Sequence, residues 1–197
     1  KTTMTHIRHL VACLILFLLV PLNHILADTE VGGMISQDTT WTIDQSPYLV
    51  IQSILIRKDI TLKIESGVIV NIRSGLGILV NGTLKALGSS EQKIIFQAFN
   101  STEPGSWGSL RFGDSSIDAI LDDNGNYIDG SILQHCVIKH GGGFNSTAQV
   151  MSQESAPALI SCDVIWSASA GVKFQFAWKT MFLKNQAESI LLGVETL

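Results

Sequence analysis

The chain has 197 residues, enough for one domain with a sizeable core. Only 15% of residues are charged and the formal net charge is −4, so the concentrated basic surface that nucleic acid selects is missing. β-Branched residues crowd the middle of the chain, a bias that suits strands more than helices.

Residues 1–27 are expected to be an export signal. His6, Arg8 and His9 form a basic leading region, and Leu10–Leu22 forms an apolar stretch too short to span a bilayer comfortably. Cleavage is expected after Ala27, with an imperfect Ile25 three residues from the cut. Residues 28–53 alternate poorly and contain Pro47; they read as an N-terminal cap with a lead-in strand near Trp41.

From Ile54 the chain says the same thing twice: ILIRKDITLKIESGVIVNI, then ILVNGTLKALGSSEQKIIF. Ile54 falls on Ile78, Leu62 on Leu84 and Val70 on Phe96, at spacings of 24, 22 and 26 residues. A repeat of that length with three short strands per copy predicts an all-β solenoid over residues 54–197, because each coil can bury its inner face only against the next. Period-two alternation fixes the register. Leu62, Ile64, Leu84 and Ala86 are expected inside, with Thr61, Lys63, Glu65 and Lys85 outside.

Residues 99–130 interrupt this rhythm. A strand is expected near Leu110–Phe112, followed by a polar insertion over residues 114–130. Deleting Ser115 to Ile128 is expected to leave the solenoid folded, as loops between coils are tolerant. SILQHCVIKHGGG, APALISCDVIWSASAGVKF and TMFLKNQAESILL then resume the coils. Cys136 and Cys162 lie 26 residues apart in similar contexts, so a stacked pair of buried thiols is expected, with a disulfide as the alternative. The final segment is apolar and Lys1 precedes the first methionine, so the natural protein is expected to continue past Leu197.

The segments DITLKIESGVIV, GILVNGTLKALGSSEQKIIF, PGSWGSLRF and GSILQHCVIKHGGG resemble secreted right-handed parallel β-helix proteins of the pectin-lyase-like superfamily. The likeness covers about residues 46–175 and is closest to the non-enzymatic, adhesin-like and bark-beetle-like members. It implies a right-handed β-helix with three short strands per coil of about 22–26 residues. That solenoid serves lyases, hydrolases and adhesive proteins alike, so the resemblance specifies fold more than chemistry.

Three chemistries are testable against the residues. A polysaccharide lyase needs carboxylates to hold Ca²⁺ and a basic side chain to take a proton. Asp114, Asp118, Asp122, Asp123 and Asp129 form the one acidic cluster, and Arg73, Arg111 and Lys139 are the candidate bases, but no lyase motif surrounds them. A glycoside hydrolase needs carboxylates converging from stacked coils; Glu65, Glu91, Glu154 and Asp163 show no such pattern, and His135 and His140 merely flank a strand. A Ca²⁺ loop at Asp122, Asn124, Asn126 and Asp129 copies the opening of an EF-hand, yet Tyr127 stands where glycine is needed, and a tight Asn-Gly turn explains the residues equally well.

Asn81, Asn100 and Asn145 head N-x-S/T sequons, with Asn100 and Asn145 in loop-like stretches. Trp41, Trp107, Trp166 and Trp178 share no common face, so packed indoles are expected rather than a sugar-stacking surface. The sequence therefore predicts a secreted, extracellular, non-catalytic β-helix without a required cofactor. Its expected partner is a polysaccharide or a protein ectodomain; the alternative is a Ca²⁺-assisted lyase of acidic polysaccharide.

Overall fold

The computed structural model describes residues 28–175, 181–183, 186–187 and 190–193. The expected signal segment and Trp178 lie outside them. The chain opens with β1 (Thr29–Ile35), β2 (Thr39–Trp41), a 3-10 turn at Ile43–Gln45, and β3 (Tyr48–Ile56). Two coils follow: β4 (Thr61–Ile64), β5 (Ile69–Ile72) and β6 (Ile78–Val80), then β7 (Thr83–Leu87), β8 (Ile94–Ala98) and β9 (Leu110–Phe112). A hairpin of β10 (Ile120–Leu121) and β11 (Tyr127–Asp129) intervenes. The coils resume as β12 (Ile132–Gln134), β13 (Cys136–Lys139) and β14 (Ala148–Gln153), then β15 (Ala158–Ile160), β16 (Asp163–Ile165) and β17 (Ala170–Gln175). The last described strands are β18 (Met181–Leu183), β19 (Gln186–Ala187) and β20 (Ile190–Gly193).

Every described pairing is parallel except that of the β10–β11 hairpin. Each strand pairs with its counterpart one coil later, which builds a nearly closed, β-helix-like stack with three faces. The first face runs β2-β4-β7-β12-β15-β18. The second runs from β3 through β5, β8, β13 and β16 to β19, and the third from β3 through β6, β9, β14 and β17 to β20. Ile54 pairs with Ile78, Leu62 with Leu84 and Val70 with Phe96, the three matches that the repeat implies.

The core is the column of inward residues. Leu62, Ile64, Leu84 and Ala86 have no exposed surface, while Lys63 between them is exposed. A one-residue slip would drive Lys63 into this apolar interior, so burial itself pins the register.

Two regions depart from expectation. Residues 28–53 already belong to the parallel stack, since β1 pairs with β3 and β2 with β4. Their alternation is broken because β1 and β3 each bend across two faces. The register of β1 shifts between Val31 and Gly33, where a side chain on Gly32 would meet Gln52 Cβ at 2.9 Å. Tyr48 then fills the interior, stacked on Trp41 with ring centroids 4.9 Å apart.

The insertion is the second departure. It folds back over the outward side of the first face and builds a small second core of Ala119, Ile132 and Ala158, packed against Leu87, Leu121, Tyr127 and Ile160. Asp118 accepts the backbone N–H of Ala156 at 2.7 Å, and the buried hydroxyl pair of Ser116 and Ser131 closes the base of the insertion. It is a covering element rather than a solvated loop.

Candidate functional site

Corners of the stack turn through residues in the left-handed region. His135 (φ 48°) and Ser161 (φ 54°) repeat at the corner before the second face, and His140 (φ 67°) and Trp166 (φ 52°) repeat at the corner after it. The latter two stand two residues beyond the aligned trio Phe96, Ile138 and Val164. Stacking of the coils therefore lays the Trp166 indole on the His140 imidazole, with centroids 5.3 Å apart and planes inclined by 2°.

Against His140 lies an open groove of about 550 Å³. Its lining is Gln97, Ala98, Asn100, Ser101, Thr102, Glu103, Lys139 and His140. The wall of residues 100–103 is held by a Ser101–Ser106 hydroxyl contact of 2.6 Å and by Ser106 donating to Glu103 O at 2.7 Å. The floor is fixed from inside the stack. Buried Trp107 donates its indole N–H to Lys139 O at 2.8 Å, and buried Gln149 donates to Ile138 O at 2.7 Å while accepting the Gly141 N–H.

His140 is 3% exposed and neither ring nitrogen has a hydrogen-bond partner in the structure. Burial, reinforced by the Lys139 charge, holds its pKa below the ordinary imidazole value, with Glu103 opposing weakly. The ring is thus kept neutral near pH 7, with one nitrogen able to donate and the other to accept. Lys139 Nζ lies 5.7 Å from the Trp166 ring centroid, and Trp166 is half exposed. Amide, hydroxyl, carboxylate and ammonium groups around a neutral imidazole can bind a polar, uncharged or weakly charged group.

The other sequence candidates are dispersed. Asp122 is consumed by its own turn: its carboxylate accepts from Asn124 N at 3.0 Å, Asn126 N at 2.7 Å and Asn126 Nδ2 at 2.9 Å, bonds that lower its pKa. Asp129 instead pairs with Lys85 Nζ at 2.6 Å, which lowers its pKa too. Asp122, Asn124 and Asn126 thus share one turn while Asp129 is turned to Lys85, and no group of three or more His, Cys, Asp or Glu that could hold a metal occurs among the described residues. Arg73 lies 3.7 Å from Glu30, Arg111 donates to Gln153 at 2.6 Å, and Asp163 pairs with Lys93 at 2.7 Å.

Of the sequon asparagines, Asn100 and Asn145 are exposed, and Asn100 sits in the cleft wall. Asn81 is half-buried before Gly82, where any side chain would lie 2.2 Å from Ile60 O. Tight packing accounts for that Asn-Gly turn. Cys136 and Cys162 stack in successive coils with no exposed surface, both as thiols. Burial pushes the Cys136 thiol up in pKa.

Sequence reasoning weighed Lys139, His140 and Trp166 one at a time and missed that Lys139 and His140 line one groove with residues 100–103 while Trp166 stacks on His140. The signal lay in the coil register, which places His140 beneath Trp166.

Fold and cleft together define an all-β, parallel-stranded, β-helix-like chain. Comparison with known proteins finds it similar to the Protein bark beetle of Drosophila melanogaster, at 35% identity over 68 residues. That stretch spans 34% of this chain and 2% of the fly protein. No protein-family profile matches the chain, and no solved structure matches it.

Proposed function

We propose that this chain is an exported right-handed parallel β-helix of the pectin-lyase-like kind. On this reading it serves outside the cell as a non-catalytic module that binds a polysaccharide or a protein ectodomain. The steric preference of parallel crossovers supports the right hand. The 35% likeness to a stretch of the bark beetle protein fits the bark-beetle-like resemblance of the coil segments.

The observation that carries the reading is the open groove beside His140, lined by amide and hydroxyl groups. Stacked coils repeat at about 4.7–4.9 Å, so side chains beside it recur at a fixed pitch along the rod. Asn71 and Gln97, hydrogen-bonded at 3.0 Å, begin such a row on the second face. A repetitive ligand gains from such a row because its binding entropy is lost only once.

The test is binding of the folded chain to arrayed neutral and acidic polysaccharides and to immobilised cell-surface ectodomains, with a parallel assay for unsaturated sugar products with and without Ca²⁺. Saturable binding without product is the expected result. Product formation would replace this reading with the lyase; no binding to either class would remove it.

A further inference from the structure

Cys136 and Cys162 immediately precede the in-register pair Val137 and Asp163 on neighbouring strands of the second face. Neighbouring strands lie about 4.7–4.9 Å apart, inside the Cα separation of about 4.4–6.8 Å that a disulfide spans. The two thiols are hydrogen-bonded to each other, and each also reaches a backbone carbonyl: Cys136 Sγ to Gln134 O at 3.4 Å, Cys162 Sγ to Leu133 O at 3.2 Å. Outside them, Lys93 and Asp163 form a clasp of 2.7 Å. Between the two cysteines runs one complete circuit of the stack, through β13, β14 and β15.

We propose that Cys136 and Cys162 are a redox pair that closes into an inter-coil disulfide during folding, and that the finished stack then seals the bond. The reaction is thiol–disulfide exchange with a disulfide donor such as oxidised glutathione. One cysteine thiolate attacks a donor sulfur and forms a mixed disulfide, releasing the first donor thiol. The second cysteine attacks the mixed disulfide at the protein sulfur and releases the second. The pair loses two protons and two electrons, and the donor is reduced to two thiols.

The timing follows from burial. Exchange needs an approach path for the donor disulfide, and the folded core offers none, since both cysteines have no exposed surface. The pair must therefore react before the coil of β15–β17 docks on that of β12–β14. The same lack of access protects the finished bond from reductants. Nothing in this inference depends on which ligand the cleft takes.

The test uses the full chain carrying Cys13→Ser, so that only the pair remains. It is refolded from denaturant in a mixture of oxidised and reduced glutathione, denatured, alkylated with iodoacetamide and weighed intact. The expected result is no alkyl adducts, a Cys136–Cys162 linked peptide in a non-reducing digest, and a higher thermal midpoint than the reduced chain. A chain refolded in excess reductant and then moved to the same glutathione mixture should gain the link at least 100-fold more slowly. Two adducts after oxidative refolding, or stable glutathione adducts instead of the link, would overturn the pairing; fast oxidation of the folded chain would overturn the sealing. A Cys136→Val chain, checked for its β-type circular dichroism, must show one adduct at Cys162 and no link. If that chain does not fold, the linked peptide of the Cys13→Ser chain still decides.

Discussion

Ile132 pairs with Lys85 on the outward side of the first face, and Ile132 has no exposed surface. An outward position is buried because the hairpin lies over it, with Tyr127 and Leu121 packed on the same cluster. Deleting residues 115–128 would bare Ile132 and Ala158 and break the Asp118 bond to Ala156 N. The deletion is therefore expected to lower stability by about 2–4 kcal/mol, the scale of uncovering one or two large apolar side chains. Chemical denaturation of the deleted and intact chains checks this. An unchanged midpoint would mean that the hairpin is the dispensable loop that its polar composition suggests.

The interior and exterior of one strand give a sharper test. Leu62 has no exposed surface and Lys63 is exposed, one residue on. Leu62→Asp is expected to cost several kcal/mol, about 3 or more, because it buries an unpaired carboxylate and opens a cavity. Lys63→Asp is expected to cost under about 1 kcal/mol. Equal losses by urea titration would contradict the register.

Where the chain obeys one rule at a time, it is legible. Leu62-Lys63-Ile64 and Leu84-Lys85-Ala86 alternate cleanly, so both their inward faces and their pairing across coils follow from pattern alone. Legibility fails where a strand serves two faces. In β3 the sequence Tyr48-Leu49-Val50 belongs to one face and Ile54-Leu55-Ile56 to the next, and the bend between them hides the alternation. It fails again in the insertion, where the short pairs Ile120-Leu121 and Tyr127-Ile128 stand among Asp, Asn and Gly without a period. The cleft was hidden for a third reason: Asn100 and Lys139 are far apart in sequence and meet only through the coil register.

Acid is expected to weaken the corner at His140. Burial first, and Lys139 second, depress its pKa in the folded state. The unfolded chain then binds the proton more readily, near the ordinary imidazole value of about 6.5. Stability from this group is complete above that value and is lost as pH falls below it towards the folded pKa. Urea midpoints measured across this window should decline on acidification, and His140→Gln should flatten the decline. Equal slopes in both chains would show that the imidazole is not the titrating group.

The corner before the second face carries the last prediction. Ser161 occupies the left-handed region at φ 54°, as His135 does one coil earlier at φ 48°. A side chain there costs about 1–2 kcal/mol against its own backbone, a cost glycine escapes while losing more freedom on folding. Those two effects nearly offset, so Ser161→Gly is expected to match the parent chain or exceed it by up to about 1 kcal/mol. Ser161→Val puts a β-branched side chain in the same conformation and should cost about 1–3 kcal/mol. The corner cannot relax by rotating away, because His135 N donates to Ile160 O at 2.9 Å and Ile94 N donates to His135 O at 3.1 Å, stitching three coils together. The order Gly at or above Ser, with Val well below, should appear in denaturation midpoints. Valine equal to glycine would mean that the corner is not held left-handed in solution.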